Sequence, residues 1–286
     1  MNDTLPALPR QADTEAQVVG MWLHGRPART RKLYDDAYQR FAAHVGKPLE
    51  RVTVGDLQSY ADTLEGRKPR TVALHVSALK SLFSFAQRVG YLRVNVGAVI
   101  RPPKIAGDLS RRILSEEDVQ RMLHLEPQPR NRVLLDLLYY GGLRVGEVVA
   151  LHWRDVTARD DDGGQVTVTG KGGKTRSVRL YSGAWRRLGA LRGNAPAMAP
   201  VIASRKGARA VSTVQVHRIV RAAARRAGIE ANVSPHWLRH AHASHALDRG
   251  APAHLVRDTL GHANISTTSA YAHARPGQSS GKFLAS

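Results

Sequence analysis

The sequence predicts two domains: an all-α helical bundle over residues 1–106, and a longer, mainly α domain over 107–286 with one small antiparallel β-sheet. Three observations predict it. Apolar residues recur at helical spacing through most of the first hundred positions. The stretch VIRPPKIAGDLSRRI, 99–113, carries two prolines, a glycine and several cations, cannot continue a helix, and reads as a linker with the boundary at about residue 107. Beyond it, QVTVTGKGGKTRSVRL, 165–180, changes to an alternation of period two.

The elements follow in order. Residues 1–27 are polar and proline-containing, with a short helix near Gln17 to Leu23. From Thr30 a helix places Leu33, Ala37, Phe41 and Val45 on one face. A second starts behind Thr53, an N-cap residue, with Leu57, Tyr60, Ala61 and Leu64 inward. A third runs from Thr71 through Val72, Val76, Leu79, Phe83 and Ala86 to Gly90, which caps it. A short helix follows near Val96. Past the linker, Ser115 and Asp118 resemble a capping box ahead of helices at 115–124, 130–140 and 145–151. Residues 165–180 form a hairpin in which Val166 and Val168 alternate, the chain turns at Gly172-Gly173, and Val178 and Leu180 alternate again. Helices resume at 182–190, 213–227, 236–248, 252–260 and about 266–273.

Composition narrows the function. Lys and Arg total 43 against 23 Asp and Glu, a net charge of +20. Arginine predominates, and its planar fork suits phosphate, so the partner is a polyanion and nucleic acid fits best. The two parts share the excess unequally: residues 1–110 hold 16 Lys/Arg against 10 Asp/Glu, the remainder 27 against 13. Two basic domains on a short linker can close around a duplex from opposite sides. No apolar run approaches the roughly 20 residues of a membrane span, and no basic amphipathic segment with bulky aromatics suggests a membrane surface. The N-terminus does not read as a secretory signal. With no cysteine, disulfides and thiolate metal sites are excluded, which fits a reducing cytoplasm.

SPHWLRHAHASHAL, 234–247, gathers four histidines and one arginine. His236 and His240 have the spacing of a zincin pair, but Trp237 stands where the base Glu is needed, and the expectation is metal-free chemistry with no cofactor. His242 and His245 read as packing histidines. His236 and Arg239 share a helix face just after Ser234-Pro235, where helix N–H groups favour an anion. YYGGLRVGEVVAL sets Arg144 behind a glycine pair, with Glu147 one turn on to hold its fork. GKGGKTR, 170–176, is a glycine-rich hairpin tip with Lys171, Lys174 and Arg176. It is not a P-loop, since no helix follows. Arg70 and Lys80 in the bundle, with Lys174 and Arg176 on the hairpin, are the candidate DNA contacts. LGHANISTTSAYAHA supplies His262 after a helix-ending glycine, and Tyr271 on a short terminal helix.

Together these residues meet the demands of attack on a DNA phosphodiester. Arg144 and Arg239 clamp the non-bridging oxygens, where negative charge grows. Tyr271 is the nucleophile, and its phenol, with a pKa near ~10, needs help to lose its proton. His236 is the base or proton relay, Lys171 the acid for the leaving 5′-hydroxyl, and His262 a donor to a non-bridging oxygen. A 3′-phosphotyrosine stores the energy of the broken bond, so rejoining needs neither ATP nor metal.

The order Arg, Lys, His-x-x-Arg, His, Tyr, in GGLRVGE, GKGGKTR, SPHWLRHAHASHAL and LGHANISTTSAYAH, resembles the tyrosine recombinases of the phage-integrase type. TRKLYDDAYQRFAAHVGK and RKPRTVALHVSALKSLFSFAQRVGYL are similar to the family's SAM-like core-binding domain, so the resemblance covers about residues 15–275. The compact layout is Xer-like, and similar also to simple mobile-element integrases. The chain departs from the pattern at Gly141-Gly142, where Thr-Gly is frequent, and at Gly146, where Ser is frequent. The resemblance implies double-stranded DNA as substrate, tetramers on two paired sites, and strand exchange through a Holliday junction. It also implies a C-terminal segment, ARPGQSSGKFLAS, that docks Phe283-Leu284 on a neighbour. It leaves open the DNA site, chromosome-dimer resolution against integration, and the need for a second recombinase or accessory protein. Two other readings compete: relaxation of supercoils in the manner of a type IB topoisomerase, and non-catalytic DNA binding.

Overall fold

The computed structural model describes residues 11–103, 112–159, 163–170, 173–205, 207 and 209–261, and divides the chain into two compact units, 1–107 and 108–286. Lys171, His262, Tyr271, the helix expected at 266–273, the Phe283-Leu284 tail and the middle of the linker lie outside the described residues.

The first unit is built from α1 (Glu15–Leu23), α2 (Ala28–Val45), α3 (Val54–Asp62) and α4 (Pro69–Arg88). Capping boxes open α1, through Thr14 and Gln17, and α3, through Thr53 and Asp56. Gly46, at φ +64°, and Gly90, at φ +72°, turn the chain out of α2 and α4. The core centres on Phe41, whose ring meets Tyr60 edge-on at 5.3 Å and Phe83 at 6.0 Å. The expected inward face of α2 needs correction. Ala37 and Phe41 are buried, but Leu33 is exposed and Val45 only half-buried. The helix is rotated so that Tyr34 stacks on Trp22 at 5.3 Å and the Tyr38 hydroxyl donates to Glu15 Oε1 at 2.8 Å. Aromatic rings with polar tips outcompete Leu33 for that face. After α4 a single 3-10 turn, Val96–Ala98, packs so closely that a Cβ on Gly97 would stand 2.8 Å from Phe83 Cβ.

The second unit contains α5 (Glu116–His124), α6 (Pro129–Tyr139), α7 (Val145–Ala150), β1 (Val156–Arg159), β2 (Gly163–Thr169), β3 (Thr175–Leu180), α8 (Ser182–Arg192), α9 (Thr213–Arg226), α10 (Pro235–Asp248) and α11 (Ala253–Leu260). The three strands form an antiparallel sheet in the order β1-β2-β3, with Val166 opposite both Val156 and Val178. β1 has no counterpart in the sequence reading, because only Val156 of its four residues touches the core and no alternation exists to be seen. α6 is the central helix: every residue from Val133 to Tyr139 is buried, as an element covered on all sides must be. One of these is Asp136, whose carboxylate is held by Arg187 Nε at 2.6 Å and Arg132 Nε at 3.3 Å. α8 lies on the sheet where β2 has Gly164, and any Cβ there would collide with the Trp185 ring at 2.3 Å.

Candidate active site

The site is assembled where α6 stops. Tyr140 is followed by Gly141 and Gly142, and α7 starts with Arg144 in the N-cap position. The two glycines are required by space. A Cβ on Gly141 would sit 2.7 Å from Leu137 O, and one on Gly142, at φ +57°, would sit 2.7 Å from Leu260 Cδ2 and 3.1 Å from the His242 ring. The turn can therefore lie directly against α10 and the end of α11.

Glu147, one helical turn past Arg144, is buried and receives four donors. Arg144 Nη1 and Arg176 Nη1 donate to Oε1 at 2.8 and 2.7 Å. The Arg144 amide and Arg176 Nη2 donate to Oε2, both at 2.8 Å. Burial by itself would push this carboxyl up. Hydrogen bonds from Arg176 and from the Arg144 amide, with the adjacent guanidinium charge, overrule it and hold the pKa at about 2.

Three arginines then converge on three consecutive carbonyls at the C-terminal end of α11. Arg176 Nε donates to Thr259 O at 2.7 Å, Arg239 Nη2 to Leu260 O, and Arg144 Nη2 to Gly261 O at 3.0 Å. These are carbonyls a helix end leaves without intrahelical partners, at the negative pole of its dipole. Arg239 also donates through Nη1 to Gly142 O, and it is fully buried. Gly261, at φ +61°, passes so near Arg176 that a Cβ would meet its Cδ at 3.1 Å.

His236, at the start of α10, is exposed, and its ring stands edge-on to that of His240 at 4.2 Å. His242 bonds through Nδ1 to Tyr139 O at 2.7 Å. Burial, with the charge of Arg239 nearby, lowers its pKa to about 4, so the ring is neutral near pH 7 and Nδ1–H is the donor. His245 lies between the Tyr139 hydroxyl and Leu114 O, each at 3.0 Å, and burial lowers its pKa also.

Of the six candidate catalytic residues, Arg144, His236 and Arg239 fall among the described ones. Arg144 and Arg239 meet at the end of α11, and Glu147 takes the Arg144 fork. Two candidate DNA contacts have hydrogen-bond partners within the protein. Arg176 has only 14% of its side chain exposed, and its Nε, Nη1 and Nη2 are spent on Thr259 O and Glu147. Lys80 donates to Ala98 O at 3.2 Å and Ile100 O at 2.7 Å, tying down the segment after α4. Arg70 and Lys174 are exposed. The inward position of Arg176 had a signal in the sequence: it stands two and four residues before Val178 and Leu180, on the same face of the strand.

A model of the phage integrase family matches residues 112–278, and one of the phage integrase N-terminal SAM-like domain matches residues 34–90. The chain is 33% identical over 254 residues to the tyrosine recombinase XerC of Xanthomonas campestris pv. campestris (strain B100), covering 83% of this chain and 77% of that protein. Its fold is similar to that of XerH site-specific recombinase bound to palindromic difH substrate, with TM-score 0.73, 21% identity, and 92% and 82% of the two chains covered. It is also similar to a lambda integrase tetramer bound to a Holliday junction, with TM-score 0.70, 18% identity, and coverage of 89% and 79%.

Proposed function

This chain belongs to the phage integrase family, and on that premise we propose that it is a site-specific DNA recombinase working through a 3′-phosphotyrosine on Tyr271. The phenol oxygen of Tyr271 forms a bond to the scissile phosphorus as the bond from phosphorus to the 5′-oxygen breaks. His236 accepts or relays the phenol proton, and Lys171 gives a proton to the departing 5′-oxygen, which leaves as a hydroxyl. Arg144, Arg239 and His262 donate to the non-bridging oxygens. Rejoining is the reverse, with a 5′-hydroxyl as nucleophile, so the energy of the phosphodiester is conserved and no ATP or metal is consumed.

One observation carries this reading. Arg144 and Arg239 are nearly a hundred positions apart, yet their guanidiniums donate to the adjacent carbonyls of Gly261 and Leu260. The next residue is His262. Donors fixed in a partly buried site need little reorganisation when charge develops, and they act more strongly there than in water.

Assembly as a tetramer on paired sites, with exchange through a Holliday junction, belongs to the same proposal, and so does a cytoplasmic location. No described helix is long and apolar enough to cross a membrane. The test is to incubate the protein with genomic duplex fragments, trap the covalent adduct and sequence the attached DNA. An adduct that disappears in Tyr271→Phe supports the reading. Tight binding without any adduct would leave a DNA-binding protein, and efficient plasmid relaxation without paired sites would point to topoisomerase-like activity.

A further inference from the structure

We propose that Arg176 is a positioning residue for DNA cleavage, acting through Glu147 on Arg144 and, through Thr259, on the segment that leads to His262. The inference rests on the recombinase reading and adds a residue to its machinery.

Arg176 does not reach out to a phosphate, since its three guanidinium nitrogens are engaged inside the protein. Its two Nη groups grip both oxygens of Glu147 in the bidentate geometry that fixes a carboxylate's plane as well as its position. Glu147 in turn accepts from both the side chain and the amide of Arg144. A carboxylate has about four acceptor sites, and here each oxygen takes one bond from each arginine. Two of the five N–H groups of Arg144 are engaged among the described residues, one with Glu147 and one with Gly261 O. Its fork is thus set by the orientation of Glu147, and Glu147's orientation is set by Arg176.

The same side chain has a second attachment. Nε reaches Thr259 O, two residues before Gly261, and the stem lies where a Cβ on Gly261 would come within 3.1 Å of its Cδ. Arg176 therefore links β3, which begins four residues after the candidate acid Lys171 in the sequence, to the helix end that precedes His262. Lysine in its place would keep the charge but lose the planar fork, and with it two of the three directions.

The test measures adduct formation on a nicked suicide duplex at saturating protein, with DNA affinity and thermal unfolding measured alongside. In Arg176→Met and Arg176→Lys the cleavage rate should fall by about 100-fold, the scale of loss when reacting groups move by about 1 Å, while DNA Kd stays within about threefold. The double variant Arg176→Met/Glu147→Gln should cleave within about threefold of Glu147→Gln alone, because both changes break one chain of contacts. Lost stability by itself would not produce that non-additivity. Should Arg176→Met unfold, Arg176→Lys retains the stem and charge and gives the same readout. A wild-type cleavage rate in either variant overturns the proposal. So does a loss confined to DNA affinity, or a double variant whose losses multiply. Absence of an adduct from the unmutated chain overturns the recombinase reading together with this one, whereas an adduct from it and an unimpaired Arg176→Met overturn only the role of Arg176.

Discussion

Glu147 serves two guanidiniums with one carboxylate, and this has a consequence for acid stability. Its folded pKa of about 2 lies below the ordinary value of about 4.3. The group stabilises the fold above about pH 4.3, and that contribution is lost as pH falls toward 2. His242 acts earlier on the same descent. Its folded pKa of about 4 lies below the usual ~6.5, so between those values the unfolded chain binds a proton that the folded chain refuses. Stability should therefore decline from about pH 6.5 downward, and His242→Asn, which retains a donor for Tyr139 O, should flatten that decline. Urea unfolding at pH 7, 5.5 and 4.5 measures it, and an unchanged slope in the variant would remove His242 as the cause. At this scale one contact of the candidate site was legible: the hold of Glu147 on the Arg144 fork follows from charge and a spacing of three. Arg176 was legible only in part. Its charge suggested a groove, while the alternation it shares with Val178 and Leu180 pointed inward, and burial on that face prevailed.

Among the elements, helices with a clear apolar period and a cap were readable to within a few residues, as α3, α4 and α9 illustrate. Two features escaped. β1 has no alternation, since its ladder to β2 is made by backbone groups and needs no particular side chains. The rotation of α2 depends on Trp22 and Glu15, partners that lie in another helix. The close seat of α8 on the sheet makes Gly164 a sensitive position. Gly164→Val should destabilise the second unit by about 1–3 kcal/mol, the usual cost of overpacking, measured by urea denaturation. The cap of α5 gives a milder case: Ser115 accepts from the Asp118 amide at 3.0 Å, and Ser115→Ala should cost about 1 kcal/mol.

For the whole molecule, the charge of +20 predicts the form of DNA binding more firmly than its sequence preference. If six to ten phosphates are neutralised, affinity should fall by about 10³–10⁵ between 50 and 200 mM salt. Fluorescence anisotropy on a labelled duplex reads this directly, and a nearly salt-independent Kd would contradict it. The two-part organisation was visible in the sequence because prolines and cations interrupt the helical pattern between two independent apolar sets. What the sequence left hidden was the meeting of α11's last carbonyls with three arginines from α10, the α7 cap and β3. That riveted helix end works as a fixed bearing. Because Thr259, Leu260 and Gly261 are each gripped from a different element, α11 cannot slide or swivel against the sheet without breaking guanidinium contacts that also orient Glu147. Loosening any one of the three rivets would then be felt at the other two.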